Sequence, residues 1–260
     1  MAWWGKLVGG TFGFMIGGPL GALMGVALGD LIGGGRDSGH HAKHLGFGSV
    51  ERVQSAFFTT TFSIMGFIAK ADGKITKDEI KMAEQVMQQM HLNSHQRSMA
   101  INLFDEGKKS DFPAEEVIIQ FKKECMRRGN LIQMFLEIQI STALADGYLH
   151  KNEKSLLESI AHDLGFERYQ FESLLARLQG FANFEDENSG VKKLEAAYEL
   201  LGVDRTCSDQ ELKKAYRRQM NQHHPDKLVA KGLPDEMIEI ATQKTQDIKA
   251  AYEIIKNGRS

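Results

Sequence analysis

Apolar residues follow three different patterns along the chain. From Leu7 to Gly29 the sequence LVGGTFGFMIGGPLGALMGVALG carries no charge at all. From residue 51 to 180 apolar residues instead recur at three- and four-residue spacing, the period of amphipathic helices. The clearest helical runs are Val53 to Ile68, Lys77 to Met90, Val117 to Met126, Leu131 to Leu144 and Lys154 to Leu164. Breaks fall at Asp72-Gly73, Asp111 to Pro113, Gly129-Asn130, Asp146-Gly147 and Gly165. A polar stretch, FANFEDENSGVKK at 181–193, separates this region from a third. There a short helix spans Leu194 to Gly202, a second runs from a cap at Ser208 or Asp209 to about Gln222, and a third runs from about Pro234 to Lys256. Strand-like alternation is nearly absent, and the whole chain holds 4 prolines. The predicted fold class is all-α: an N-terminal transmembrane helix, a central helical bundle and a C-terminal helical domain. The predicted divisions are an anchor at 1–35, a linker at 36–50, the bundle at 51–180, a linker at 181–193 and the last domain at 194–260.

The uncharged run is long enough to cross a hydrocarbon core as a helix. Trp3 and Trp4 precede it, where an interfacial aromatic belt falls. A cleaved signal peptide is the competing reading, but the apolar stretch is longer than a usual signal core and the charge before it is weak. Glycine recurs every fourth residue at Gly5, Gly9, Gly13, Gly17, Gly21, Gly25, Gly29 and Gly33. On one helix this spacing gives a stripe of small residues, a surface for close helix pairing in lipid, so Gly9, Gly13, Gly17, Gly21 and Gly25 are the predicted homodimer contacts. Arg36, Lys43 and Arg52 lie on the C-terminal side, against Lys6 on the other, which predicts that everything after the span is cytoplasmic. His40, His41 and His44 read as a solvated linker rather than a metal site.

Charge and cysteine content exclude other classes. Net charge is -2, so no global basic field points to nucleic acid. The 2 cysteines, Cys125 and Cys207, stand far apart in no ligand spacing and read as reduced thiols. No metal or other cofactor is expected.

The bundle contains an internal repeat. Ala69-Lys70-Ala71-Asp72-Gly73-Lys74-Ile75, followed by Lys77 and Glu79, matches Ala143-Leu144-Ala145-Asp146-Gly147-Tyr148-Leu149, followed by Lys151 and Glu153. Ile64 pairs with Ile138, Val86 with Ile160 and Leu92 with Phe166. One helix–turn–helix unit is thus used twice. The turns look like half of a calcium loop, but the upstream ligand positions hold Ile68 and Lys70 in one copy and Thr142 and Leu144 in the other. Asp72 and Asp146 therefore read first as helix caps. Paired A-x-A-D-G units in an all-helical domain resemble the TerB-like fold. The resemblance implies a partner site at the acidic turns, with an unidentified regulator as occupant.

In the last region, SDQELKKAYRRQMNQ places Lys213, Lys214, Arg217 and Arg218 on one broad face, with Leu212, Ala215, Tyr216 and Met220 opposite. His223-His224-Pro225-Asp226-Lys227 follows. The proline ends the helix at His224, and Asp226 is expected to close the turn through its own side chain. A basic helix, the tripeptide His224-Pro225-Asp226 at this spacing, and a closing helix with Ile248-Lys249-Ala250-Ala251-Tyr252-Glu253 are closely similar to the DnaJ, or J-domain, family. The stretch Leu228 to Glu239 is longer than in most members. No Gly/Phe-rich segment or zinc-binding cysteine repeat follows. The order of anchor, TerB-like domain and J domain is similar to bacterial inner-membrane co-chaperones of this family. The resemblance implies a non-enzymatic co-chaperone that stimulates ATP hydrolysis by a DnaK-type chaperone. The chaperone-binding residues it implies are His224, Pro225 and Asp226 with Lys213, Lys214, Arg217 and Arg218. Two readings compete with it. One is a membrane scaffold or envelope-stress sensor acting mainly through the TerB-like domain, and the other is a metal-responsive binder. His224 with Asp226 suggests acid–base catalysis, but no convincing nucleophile accompanies the pair.

Overall fold

The computed structural model describes residues 17–32, 49–71, 77–144, 147–186 and 190–259. Regular structure among them is helical throughout. The helices are α1 (Gly18–Ile32), α2 (Ser49–Ala69), α3 (Lys77–Gln89), α4 (Ser94–Gly107), α5 (Ala114–Glu124), α6 (Gly129–Ala143), α7 (Lys151–Leu164) and α8 (Arg168–Asp186). They continue with α9 (Gly190–Leu201), α10 (Asp209–His223), α11 (Pro225–Val229) and α12 (Ile238–Arg259), the last entered through a 3-10 turn at Asp235–Met237.

The central bundle is built around α2. From Val53 to Ala69 every residue but Phe67 is buried, the signature of a helix wrapped on all sides. Hydroxyls in this helix turn back on its own backbone: Thr61 donates to the Phe57 carbonyl at 2.7 Å and Ser63 to that of Thr59 at 2.8 Å. Gly66 and Gly107 let α2 and α4 touch backbone to backbone. A Cβ at Gly66 would lie 2.0 Å from the Phe104 carbonyl oxygen, and one at Gly107 would lie 1.8 Å from that of Ser63. Phe57, Phe121 and Phe135 meet in the core, with ring centroids 4.7 Å apart for the last two.

The repeat is present in the helix boundaries. α2 ends at Ala69 and α3 starts at Lys77, while α6 ends at Ala143 and α7 starts at Lys151, the same 74-residue offset. Ile64 and Ile138, and Val86 and Ile160, are buried at matching places. Gly147 has φ +84, the left-handed conformation the turn needs. Asp72 and Asp146, the expected caps, lie outside the described residues. Glu153 is a capping residue: it accepts from the His150 backbone N–H at 3.0 Å.

Two features depart from the sequence reading. Helix α4 was not predicted, although Met99, Ala100, Leu103 and Phe104 are buried along one face and Asn93 and Gln96 form a reciprocal capping box before it. Helix α8 runs through Asp186 and α9 begins at Gly190, so helix covers most of the segment read as linker. Of the predicted anchor the structure describes only residues 17–32. α1 starts only at Gly18, after Gly17 and Gly18 with φ +61 and +60, and has Pro19 in its first turn. Its 15 residues span roughly 22 Å, less than a hydrocarbon core of about 30 Å. No helix among the described residues is long and apolar enough to cross a membrane. α1 rests on α4 and α5, burying Leu20, Leu23, Met24 and Ala27. Of the glycine stripe, Gly9 and Gly13 lie outside the described residues and Gly17 precedes the helix. Gly21 and Gly25 are within α1, and Gly25 is exposed with nothing within 4 Å of a Cβ placed there.

Candidate chaperone-binding site

The C-terminal domain has its own small core of Ala196, Ala197, Tyr198, Leu200, Leu201, Leu212, Ile248, Ala251 and Ile255. α10 is anchored to it at both ends. Ser208 caps the helix, accepting from the Glu211 N–H at 3.3 Å, while Glu211 accepts from the Ser208 N–H at 2.8 Å. Tyr216 stacks on Tyr252 of α12 with centroids 4.4 Å apart. Arg259, near the end of α12, donates to the Tyr198 hydroxyl at 3.0 Å and to Asp209 at 2.9 Å, tying the last helix to the first and second. With Leu212 and Ala215 buried inward, Lys213, Lys214, Arg217 and Arg218 are all exposed. Arg218 also stands near Arg177 of α8, whose pKa is lowered by burial and secondarily by the Arg218 charge.

At the far end of α10, His224 has φ -58 and ψ 122, extended as a residue before proline must be. Pro225 then opens α11, its missing N–H falling where a helix has no use for one. The turn is closed by backbone: the N–H groups of Lys227 and Leu228 both donate to the His224 carbonyl at 3.1 Å. This corrects the expectation for Asp226, whose side chain is 91% exposed and takes no part in closing the turn. The nearest His224 Nδ1 to Asp226 Oδ2 approach is 3.9 Å, too long for a hydrogen bond. The tripeptide therefore presents a half-exposed imidazole beside a free carboxylate on a stiff corner. The four cations lie on the same helix, with Lys214 about 15 Å from His224 along its axis.

The residues that sequence reasoning missed lie where this domain meets the central bundle. Glu137 of α6 is 2% exposed, and both its oxygens approach His223 Nε2, at 2.9 and 2.8 Å. Lys244 Nζ of α12 stands 3.2 Å away, and Gln133 donates to the same carboxylate at 2.8 Å. His223 Nδ1 faces the Gln219 carbonyl at 2.9 Å, so each ring nitrogen lies opposite an oxygen. Burial pushes the Glu137 pKa up. The opposite charges of His223 and Lys244, with hydrogen bonds from His223 and Gln133, more than reverse this and hold it well below the carboxylate range. Around this ion cluster, Leu228, Leu233, Met237 and Ala241 are buried in the core of the central bundle. Gly232, at φ +99, lets the chain pass Val53, whose Cγ1 would lie 2.9 Å from a Cβ there. The long stretch Leu228 to Glu239 is thus the docking element. The sequence held two signals of it: that extra length, and a lone glutamate in the apolar run LIQMFLEIQI.

A short helical domain with an exposed basic helix running into His224-Pro225-Asp226 defines a J-domain co-chaperone. Comparison with known proteins agrees. The DnaJ domain model matches residues 196–260, that of tellurite resistance protein TerB residues 59–176, and that of the co-chaperone DjlA transmembrane domain residues 1–38. The chain is 43% identical to co-chaperone protein DjlA of Photobacterium profundum, over 97% of this chain and 98% of that protein. It is 46% identical to that of Shewanella oneidensis over 82% and 81%, and 42% identical to that of Escherichia coli O157:H7 over 98% of each. The chain belongs to the DjlA co-chaperone family and is a membrane-anchored protein. No solved structure matches it.

Proposed function

We propose that the protein stimulates ATP hydrolysis by a DnaK-type chaperone from a cytoplasmic position at the bacterial inner membrane. The observation that supports this best is the placement of four exposed cations on the helix that ends in His224-Pro225-Asp226. Lys213, Lys214, Arg217 and Arg218 steer the domain onto an acidic surface of the nucleotide-bound chaperone. His224 and Asp226, held on their stiff corner, then bias that chaperone toward its hydrolysing state. The J protein itself makes and breaks no bonds.

The single-pass orientation rests on the excess of Lys and Arg after the uncharged run, and on the need of such a chaperone for cytosolic ATP. Self-association rests on the four-residue glycine spacing. His224→Gln is expected to leave the fold intact and abolish stimulation of a DnaK-type ATPase. Replacing Lys214 and Arg217 together by Ala is expected to weaken association at low salt and flatten its salt dependence. Unchanged low-salt affinity would show that these charges do not steer.

A further inference from the structure

The two ends of the described chain that border the membrane-associated region both lie against α5. Within the stretch matching the transmembrane domain, the Gly17 carbonyl accepts from Gln120 Nε2 at 2.8 Å, and the Leu20 N–H donates to Gln120 Oε1 at 3.0 Å. Where the chain returns, Ser49 lines a cleft of about 610 Å³ together with Arg52, Glu124, Met126, Arg127 and Arg128. The match to the transmembrane domain ends at residue 38, so even a fully extended chain places this cleft within about 40 Å of the span. Gln120 is on α5, and residues 124–128 are its last residue and the turn that follows. The chain thus meets the bundle beside α5 both within its membrane-associated stretch and on its return from it.

That side carries the chemistry of a lipid-facing surface. Ile119, on α5, is 57% exposed, and Met126, in the turn that follows it, is 67% exposed. Val50, beside Ser49, is exposed as well. Lys123 and Arg127 flank Met126, are exposed, and have no acceptor among the described residues. Lys122 donates to the Asp163 carbonyl at 2.7 Å. Glu124, the carboxylate of the cleft, is engaged by Arg52 at 2.8 Å, and its carbonyl by Arg128 at 3.4 Å. Glu115 and Glu116 stand at the opposite end of α5, so the basic charge gathers at the end beside the cleft.

We propose that α5 and the turn at 125–128 dock on the surface of an anionic phospholipid bilayer. Ile119 and Met126 enter the interface, Lys123 and Arg127 meet headgroup phosphates, and the arginine-lined cleft takes one headgroup. Exposed apolar side chains among cations at a membrane surface are how peripheral segments bind anionic lipid. Docking fixes the central domain against the bilayer instead of leaving it free on its tether. The cleft also adjoins the J domain, because Val53 of its lining packs on Gly232, so lipid there bears on how that domain is held.

The test uses the full chain carrying Cys207→Ser and Met126→Cys, labelled with an environment-sensitive fluorophore. Cys125 stays unlabelled because it is buried. In nanodiscs of phosphatidylcholine with phosphatidylglycerol, emission is expected to shift to the blue relative to phosphatidylcholine alone. Lys123→Glu with Arg127→Glu abolishes that shift, and a label at Tyr169→Cys, exposed on α8, shows none. Equal emission in the two lipids, a shift that survives charge reversal, or the same shift at Tyr169→Cys overturns the proposal. A shift produced by inorganic phosphate on detergent-solubilised protein overturns the lipid as ligand in favour of a soluble anion.

Discussion

At the scale of single residues, the joint between the two folded domains depends on one carboxylate. Glu137 is enclosed with His223 and Lys244, and removing one member of a buried ion cluster leaves the others uncompensated. Glu137→Gln is therefore expected to cost about 3 kcal/mol, read as a lower thermal midpoint and faster proteolysis between the domains. An unchanged midpoint would mean that the apolar contacts of Leu233 and Met237 hold the joint alone. The direction of the Glu137 shift also sets a pH dependence. A carboxylate whose folded pKa is depressed contributes stability that is fully present above its ordinary value near 4.5 and is lost only as pH falls through the lower folded value. Interdomain fluorescence transfer should thus persist through mild acid and fail only in strong acid. Loss of transfer above pH 4.5 would contradict the assignment. Cys125 gives a second residue-scale expectation: burial pushes its thiol up to about 12, so alkylating reagents at neutral pH should modify Cys207 and spare Cys125 until the bundle unfolds.

At the scale of elements, apolar periodicity located most of the central helices but not all. α2, α6 and α7 follow their periodicity, and the 74-residue repeat reappears in their boundaries. α4 buries Met99, Ala100, Leu103 and Phe104 on one face, but the exposed Ile101 blurs that stripe in the sequence, and Gly66 and Gly107 set its close approach to α2. The capping box at Ser208 and Glu211 was readable, and it makes a modest prediction. Ser208→Ala should lower J-domain stability by about 1 kcal/mol without touching the basic face. Within α1, Gly25→Leu is the cleanest test of the glycine stripe, because the position is open and the substitution disturbs no neighbour in the fold. Self-association in a membrane reporter assay should weaken while membrane attachment stays. Undiminished association would remove the stripe as the dimer contact.

At the scale of the whole molecule, the J domain is not a loose appendage. The sequence showed its basic helix, its His224-Pro225-Asp226 corner and its closing helix, because those features are local. It did not show that Leu228 to Ala241 would bury four apolar side chains in another domain, since that pairing joins residues far apart in the chain. The extra length was visible as an oddity without a purpose, and the structure supplies one. The result is a co-chaperone whose His224-Pro225-Asp226 corner stands beside the interdomain joint, with the basic helix exposed. The most direct check on this account is single-turnover ATP hydrolysis by a DnaK-type chaperone in the presence of the full-length protein in nanodiscs. The wild-type chain should accelerate the turnover, and folded His224→Gln should leave it at the unstimulated rate. Equal acceleration by both proteins would contradict the assignment of His224-Pro225-Asp226 as the stimulating site.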